Sequence, residues 1–305
     1  MPKVFPTMIT PYNRDGSIDT GAVDALVEWY WRKGCDGIFA ACQSSEIFFL
    51  SEDERVMLAD RVKRRADALA AADPGRPPMT VVASGHVSDA FGDQLRELRR
   101  VSETGVDAVI LISNRLDIPN TGDAAWSDDC RRLRETLPDT VLGVYECPHP
   151  YKRLLTPAML RTCAELDFRF IKDTCCDAAV IRERLRLLDG TRTALYNANA
   201  QTLYRTLLDG AAGYCGVMAN FHPELYVWLC RHPDDPRAER LGAALSLFAF
   251  TESLAYPCSA KFHLDVLAGV PMQWSSRSRD QADLTIYQQD CIRQMDLLAR
   301  TLLPR

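Results

Sequence analysis

Short apolar runs alternate with longer amphipathic stretches through the first two-thirds of the chain. Because the runs are almost continuously apolar, they are typical of strands that are buried on both faces of a parallel sheet. The stretches between them carry helix signals, such as the capping box of Ser51 and Glu54 and the Thr156-Pro157 start. Strands are predicted over residues 4–10, 37–42, 79–85, 107–113, 141–147, 168–174, 193–198 and 212–218. Helices are predicted from residues 51 and 157, and over residues 22–33, 94–101, 123–137, 178–188 and 201–208.

Eight such runs are the number that a closed barrel requires, so the pattern predicts an α/β protein with a (β/α)8 TIM barrel. An open, doubly wound parallel sheet is the alternative fold, because its strands have the same pattern. No G-x-G-x-x-G follows the first strand, which disfavours that alternative. After Pro223 the alternation stops, and helices are predicted over residues 241–254 and 284–303. We therefore expect a catalytic barrel at residues 1–223 and a C-terminal helical extension at residues 224–305.

The amino-acid composition and charge of the chain limit the classes of protein to which it can belong. The 305 residues are 47% hydrophobic, which is enough for a large core. The 36 basic and 41 acidic side chains are mixed along the chain and give a net charge of −5, which argues against nucleic acid or an anionic membrane as partner. No apolar run approaches the roughly 18 residues of a membrane span and no secretory pattern opens the chain, so a cytoplasmic location is predicted. The 11 cysteines and 5 histidines show no pairing or ligand spacing, so neither a disulfide framework, a metal site nor a cofactor is predicted.

Two predicted strand ends carry side chains that suit covalent chemistry, and reactive groups of TIM barrels come from such ends. Lys172 follows the apolar run 168–171, where loss of solvent disfavours the ammonium form and leaves an amine able to form a Schiff base. Tyr145 ends the neighbouring strand, and its hydroxyl could transfer protons. The alternatives are a lysine that extends into solvent and a tyrosine that only packs. Because side chains alternate along a strand, Asp173 should face away from the site of Lys172.

The second predicted strand is followed by Gln43-Ser44-Ser45. Side-chain donors and successive backbone N–H groups in such a segment suit a carboxylate, although a turn-forming loop is the simpler alternative. A cysteine nucleophile is disfavoured, because no histidine or asparagine partner follows a recognisable pattern. The glycine-rich segment 210–216 could bind a phosphate or only widen the barrel mouth.

Several motifs, in one order, resemble those of the dihydrodipicolinate synthase/N-acetylneuraminate lyase family of pyruvate-dependent class I aldolases. Residues 6–12, PTMITPY, resemble the opening strand with its T-P-F/Y turn, and Gln43-Ser44-Ser45-Glu46 resembles the G-T/S-T-G-E segment. Tyr145-Glu146-Cys147-Pro148 resembles Y-N-x-P, and Ile171-Lys172-Asp173-Thr174 resembles I-K-D-S/T. Segments 210–223 and 256–269 resemble later patterns of the family, so the resemblance extends over nearly the whole chain.

The resemblance implies a TIM-barrel lyase in which Lys172 forms an imine with pyruvate or another 2-oxo acid and Tyr145 transfers protons. It also implies that Ser44, with Gln43 and Ser45 beside it, holds the carboxylate of the 2-oxo acid. Cys215 would occupy the position on strand eight whose backbone carbonyl lines the pocket. The family further implies a homo-oligomer, either a tetramer or a dimer.

The chain departs from the family pattern in three places. Cys42 and Ser45 replace glycines, and Gln43 stands where the biosynthetic enzyme has a threonine for proton relay. Segment 113–117, SNRLD, lacks the tyrosine that this enzyme sends into its neighbour's site. Pro150 stands in place of the arginine that binds aspartate semialdehyde. These departures disfavour dihydrodipicolinate synthesis.

We therefore expect a lyase or aldolase that acts on a pyruvate-like 2-oxo acid and on an aldehyde or sugar-acid co-substrate. The alternatives are 4-hydroxy-tetrahydrodipicolinate synthase itself, a 2-oxo sugar-acid dehydratase that uses the same imine, and a non-catalytic regulatory barrel that binds a 2-oxo acid. A metal-dependent aldolase is a further alternative, which the scattered histidines disfavour. Candidates for contacting the distal part of the substrate are Glu146, Arg115, His149, Lys152 and Arg153.

Overall fold

Eight parallel strands form a single closed sheet, so the predicted TIM barrel is confirmed. The computed structural model describes residues 1–302, and the predicted helix end at residue 303 lies outside the described residues. The strands are β1 Lys3–Val4, β2 Gly37–Phe39, β3 Thr80–Ala83, β4 Ala108–Ile112, β5 Leu142–Tyr145, β6 Phe170–Asp173, β7 Ala194–Asn197 and β8 Gly213–Tyr214. Their order is β1-β8-β7-β6-β5-β4-β3-β2, and a parallel bridge between Thr7 and Phe39 joins the two ends.

A helix follows each of the first seven strands and covers the outside of the barrel. These helices are α1 Thr20–Arg32, α2 Glu52–Ala72, α3 Phe91–Ser102, α4 Asp123–Thr136, α5 Pro157–Glu165, α6 Ala178–Leu188 and α7 Ala200–Leu208. The predicted capping box of α2 is confirmed, because the Ser51 hydroxyl accepts from the Glu54 N–H at 3.2 Å and the Glu54 carboxylate accepts from the Ser51 N–H at 2.8 Å.

The alternation of side chains along each strand separates two apolar layers. Inside the barrel, the ring centroid of Tyr196 lies 4.9 Å from that of Phe5 and 4.4 Å from that of Phe170. The intervening residues, such as Ile171, pack outward against the helices. On β6 the alternation therefore directs Phe170 and Lys172 inward, as predicted for the lysine.

Closure of the barrel depends on a glycine at the β1–β8 junction. Gly213 adopts φ +140°, and a Cβ atom there would lie 1.9 Å from the backbone oxygen of Lys3. Any other residue would push these two strands apart.

Within the described part of the chain, four helices follow the barrel: α8 Pro223–Arg231, α9 Ala238–Phe248, α10 Cys258–Phe262 and α11 Ile286–Leu302. The helix predicted over 241–254 ends earlier than expected, and a 3₁₀ segment, Ala249–Ser253, follows it. Helices α8 and α10 were not predicted, because they are short and most of their side chains are buried, which leaves no clear polar face in the sequence. The division of the chain at residue 223 stays a prediction.

Within residues 1–302, no helix is long and apolar enough to span a bilayer. All 11 cysteines are free thiols. The same residues contain no cluster of three or more side chains arranged to hold a metal ion.

His222 is expected to make the fold sensitive to acid. It is 3% exposed, both ring nitrogens lack a hydrogen-bond partner in the described chain, and burial lowers its pKa from 6.5 to about 3. Because the unfolded chain binds a proton that the folded chain excludes, stability falls as the pH falls below 6.5. At pH 5 this cost is about 2 kcal/mol, and His222→Phe should remove it.

Urea unfolding at pH 7 and pH 5 measures this effect. The parent should lose about 2 kcal/mol more than His222→Phe between the two pH values. The solvent-exposed His232 provides a control, and His232→Phe should behave like the parent. Equal losses in the parent and His222→Phe would contradict the prediction.

Candidate active site

Lys172 and Tyr145 lie side by side at the carboxyl ends of β6 and β5, where they are register partners. The Nζ atom of Lys172 lies 4.0 Å from the ring centre of Tyr145 and 5.4 Å from that of Phe39. Lys172 is only 4% exposed, and its amine has no hydrogen bond or ion pair within the described part of the chain. Burial raises the pKa of Tyr145 well above its ordinary value, so its hydroxyl stays protonated. The pair therefore offers an uncommitted amine beside an O–H donor.

A cavity of about 520 Å³ opens above this pair at the carboxyl end of the barrel. Residues after β2, β5, β6, β7 and β8 line it together with the C-terminal region, among them Gln43, Ser44, His149, Lys152, Asn199 and Glu252. Its size and mixture of apolar and polar side chains suit a small organic molecule.

Gln43 and Ser44 reach this cavity from a 3₁₀ turn that follows β2 directly. The Ser44 hydroxyl donates to Oγ1 of Thr7 at 3.1 Å and lies beside the hydroxyl of Tyr256. Oε1 of Gln43 accepts from the Cys147 thiol at 3.5 Å, while its amide nitrogen has no partner among residues 1–302. Two side chains with donor groups thus face the cavity from the β2 side, and their contact with a carboxylate stays a prediction.

Ser45 and Cys215 are not among the residues that line the cavity. The Ser45 hydroxyl lies 2.6 Å from the carbonyl oxygen of Met8 and 2.8 Å from that of Ala40, and it accepts from the Cys42 N–H at 3.1 Å. Its side chain therefore shapes the turn that presents Ser44. Cys215 is fully buried in the inner layer of the barrel, one residue before the cavity wall at Gly216. The predicted substrate contacts of both residues stay predictions.

A buried ionic network fixes the ends of β5 and β6 from the outside. Arg184 of α6 contacts Glu146 at 2.8 Å and also pairs with Asp173. Glu146 additionally accepts from the backbone N–H groups of Leu155 and Thr174, both at 2.7 Å. Asp173 faces away from Lys172, as predicted. The suggestion that Glu146 contacts the distal part of a substrate is wrong, because strand alternation directs it toward α6.

The comparisons with known proteins agree with this geometry. The profile of the Dihydrodipicolinate synthetase family matches residues 1–72. The 4-hydroxy-tetrahydrodipicolinate synthase of Shewanella denitrificans is 24% identical over 289 residues, which cover 88% of this chain and 85% of that protein. The N-acetylneuraminate lyase of Rhizobium meliloti is 28% identical over 230 residues, which cover 74% and 71%. The chain is thus similar to members of the dihydrodipicolinate synthase/N-acetylneuraminate lyase family, by the profile at its start and by these relatives over most of its length.

The predicted resemblance to this family is thus confirmed, and a solved structure extends the agreement over the whole fold. The crystal structure of YagE from E. coli K12, in complex with pyruvate, matches with a TM-score of 0.83 at 20% identity. The match covers 99% of this chain and 98% of YagE.

The segments in which this chain departs from the motifs of the family contribute unequally to the cavity. His149 and Lys152 line it, and Nζ of Lys152 donates to the Thr174 carbonyl at 2.8 Å. Arg115 and Arg153 do not line it, since they pair with Asp89 and Asp117, both at 2.8 Å. The suggestion that these two arginines contact the distal part of a substrate is therefore wrong, because both guanidinium groups already hold neighbouring loops.

Sequence reasoning missed two cavity residues from the C-terminal region. Tyr256 belongs to the Y-P motif of the family, but no role was assigned to it. Glu252 lies in the 3₁₀ segment 249–253, which was predicted as helix, so no sequence signal directed it toward the cavity. The surrounding protein removes part of the solvent around the Glu252 carboxylate, which raises its pKa to about 7. The charge of Lys172 lowers the same pKa by a smaller amount. The side chain still reaches solvent through the cavity mouth.

Glu46 attaches the C-terminal region to the turn after β2. Its carboxylate accepts from the Ser276 hydroxyl at 2.6 Å and from the N–H groups of Arg277 and Ser278 at 2.7 Å. Nζ of Lys261 lies 3.4 Å from the same carboxylate. These bonds place Ser278 on the cavity wall and connect it to the turn that carries Ser44.

Proposed function

We propose that the protein is a Schiff-base-forming lyase that makes or breaks a carbon–carbon bond next to the carbonyl of pyruvate or another 2-oxo acid. The observation that carries this proposal is the uncommitted amine of Lys172, buried 4.0 Å from the ring of Tyr145. A relative named N-acetylneuraminate lyase and the YagE structure with pyruvate support the same chemistry.

The reaction begins at the amine of Lys172. Its neutral form attacks the carbonyl carbon of the 2-oxo acid. The Tyr145 hydroxyl donates a proton to the carbonyl oxygen, and loss of water leaves a protonated imine. Ser44 and the Gln43 amide hold the carboxylate, so the imine carbon stays above Nζ. The hydrogen bonds of Ser45 stabilise the turn that carries Ser44. Cys215 lies one residue before Gly216, which lines the cavity.

The protonated imine then serves as an electron sink. Tyr145, now a phenolate, takes a proton from the adjacent carbon, and the resulting enamine carbon attacks an aldehyde and forms the new bond. Tyr145 donates a proton to the aldehyde oxygen, and hydrolysis of the imine releases the product and restores Lys172. Cleavage is the same sequence in reverse. The predicted cytoplasmic location and homo-oligomeric state are part of this proposal.

Borohydride trapping with pyruvate tests the proposal. We expect a pyruvate-sized mass increase that peptide mapping assigns to Lys172, because reduction converts the imine into a stable secondary amine. Lys152 is the other lysine of the cavity, so Lys152→Gln is the matched control and should be trapped like the parent. An adduct mapped to Lys152, or none on the parent, would contradict the proposed role of Lys172.

A further inference from the structure

Glu252 is a carboxylate of the cavity wall that has no partner among residues 1–302. No hydrogen bond or ion pair of residues 1–302 involves its side chain. The other carboxylate of the wall, Glu46, is fully occupied, because it accepts from Ser276, Arg277 and Ser278 and lies 3.4 Å from Lys261. A carboxylate that faces a cavity without a partner is a ready acceptor for hydrogen bonds from a ligand.

Glu252 lines the same cavity as the side chains that follow β5 and β6. Gln43 and Ser44 face the cavity from the β2 side, so a 2-oxo acid held there directs its remaining carbons away from them. Cys176 follows β6 and Asn199 follows β7, and both line the cavity together with Glu252. Burial raises the pKa of the Cys176 thiol. The positive charge of Lys152 lowers this pKa and the negative charge of Glu252 raises it, so both charged groups lie near the thiol. Lys152 and Glu252 therefore face a common part of the cavity.

We propose that Glu252 selects the second substrate, by accepting hydrogen bonds from the hydroxyl groups of a neutral hydroxyaldehyde and by repelling an aldehyde that carries a carboxylate. This inference rests on the proposed function and names the substrate class of the same site. Lys152 supplies a donor in the same part of the cavity as the Glu252 acceptor, since Thr174 engages only one of its N–H groups. One acceptor and one donor suit a chain of hydroxyl groups, whereas Lys152 alone would attract a carboxylate.

The test compares glyceraldehyde with tartronate semialdehyde, which has the same carbon chain but ends in a carboxylate. Each is offered with pyruvate to the parent, to Glu252→Gln and to Lys152→Gln at pH 8. Because the pKa of Glu252 is about 7, most of its carboxyl groups are ionised at that pH. The parent should prefer glyceraldehyde in kcat/KM, and Glu252→Gln should shift the ratio of the two values toward the acidic aldehyde by about tenfold. Lys152→Gln should shift the ratio the other way.

Borohydride trapping of pyruvate is measured first on each variant. Glu252→Gln keeps both Lys172 and the predicted carboxylate-binding turn, so it should still form the pyruvate adduct, which also shows that the variant is folded. Absence of an adduct on the parent counts against the proposed function and is read before any aldehyde is added. With the adduct present, an unchanged ratio of kcat/KM in Glu252→Gln overturns the inference about Glu252.

Discussion

Arginine in place of Lys172 is expected to leave a folded protein that forms no imine and turns over at least about 10⁴-fold more slowly. A guanidinium group keeps its proton at any physiological pH, so it cannot attack a carbonyl carbon. The positive charge and the apolar stem over the rings of Phe39 and Tyr145 are retained. Lys172→Arg therefore removes nucleophilicity and preserves charge. Exchange of the methyl protons of pyruvate with deuterium, followed by NMR, measures enamine formation without any aldehyde.

Lys152→Arg is the matched control for this measurement. Its side chain lines the same cavity and binds the Thr174 carbonyl, but it has no part in the proposed covalent step. Proton exchange in Lys152→Arg should therefore remain near the parental rate. Exchange at the parental rate in Lys172→Arg would show that no lysine imine at this position is needed.

Replacement of Arg184 by methionine is expected to lower the free energy of unfolding by about 3–5 kcal/mol. Glu146 and Asp173 are both 0% exposed, and Arg184 pairs with both of them. Methionine fills a similar volume without charge, so two buried carboxylates are left without their cation. Urea unfolding at pH 8 measures the loss. Because Glu146 and Asp173 directly follow Tyr145 and Lys172, the variant should also form the pyruvate adduct more slowly.

Arg182→Met provides the comparison on the same helix. Arg182 is solvent-exposed and pairs with Asp209 at 3.0 Å, an arrangement worth at most about 1 kcal/mol. Burial and Asp173 raise the pKa of Glu146, so its carboxyl group takes up a proton as the pH falls. The cost of Arg184→Met should therefore be smaller at pH 6 than at pH 8. Equal costs for Arg182→Met and Arg184→Met would show that the buried network does not stabilise the fold.

The barrel could be predicted because its strands are buried on both faces. Residues 108–112, AVILI, can only be a core segment, and seven further runs of that kind leave few folds open. The observed strands are shorter than predicted, since hydrogen-bonded pairing stops where the chain bends into the mouth. Placement of Lys172 and the orientation of Asp173 followed from the alternation of side chains alone.

The remainder of the site depends on contacts that a sequence does not display. Nothing distinguishes Ser44 from Ser45 in the chain, yet one hydroxyl faces the cavity and the other lies 2.6 Å from the Met8 carbonyl oxygen. Glu252 enters the cavity because α9 ends at Phe248 and a 3₁₀ segment redirects the chain. Such redirection is decided by packing between distant segments, so periodicity cannot predict it.

The bonds of Glu46 to residues 276–278 also determine when the cavity is completed during synthesis. The strands with Lys172 and Tyr145 leave the ribosome long before residue 278 does. Until Ser276, Arg277 and Ser278 are available, the carboxylate beside the Ser44 turn lacks its hydrogen-bond donors. Lys172 is therefore synthesised before the cavity wall is complete, and the last part of the chain completes that wall.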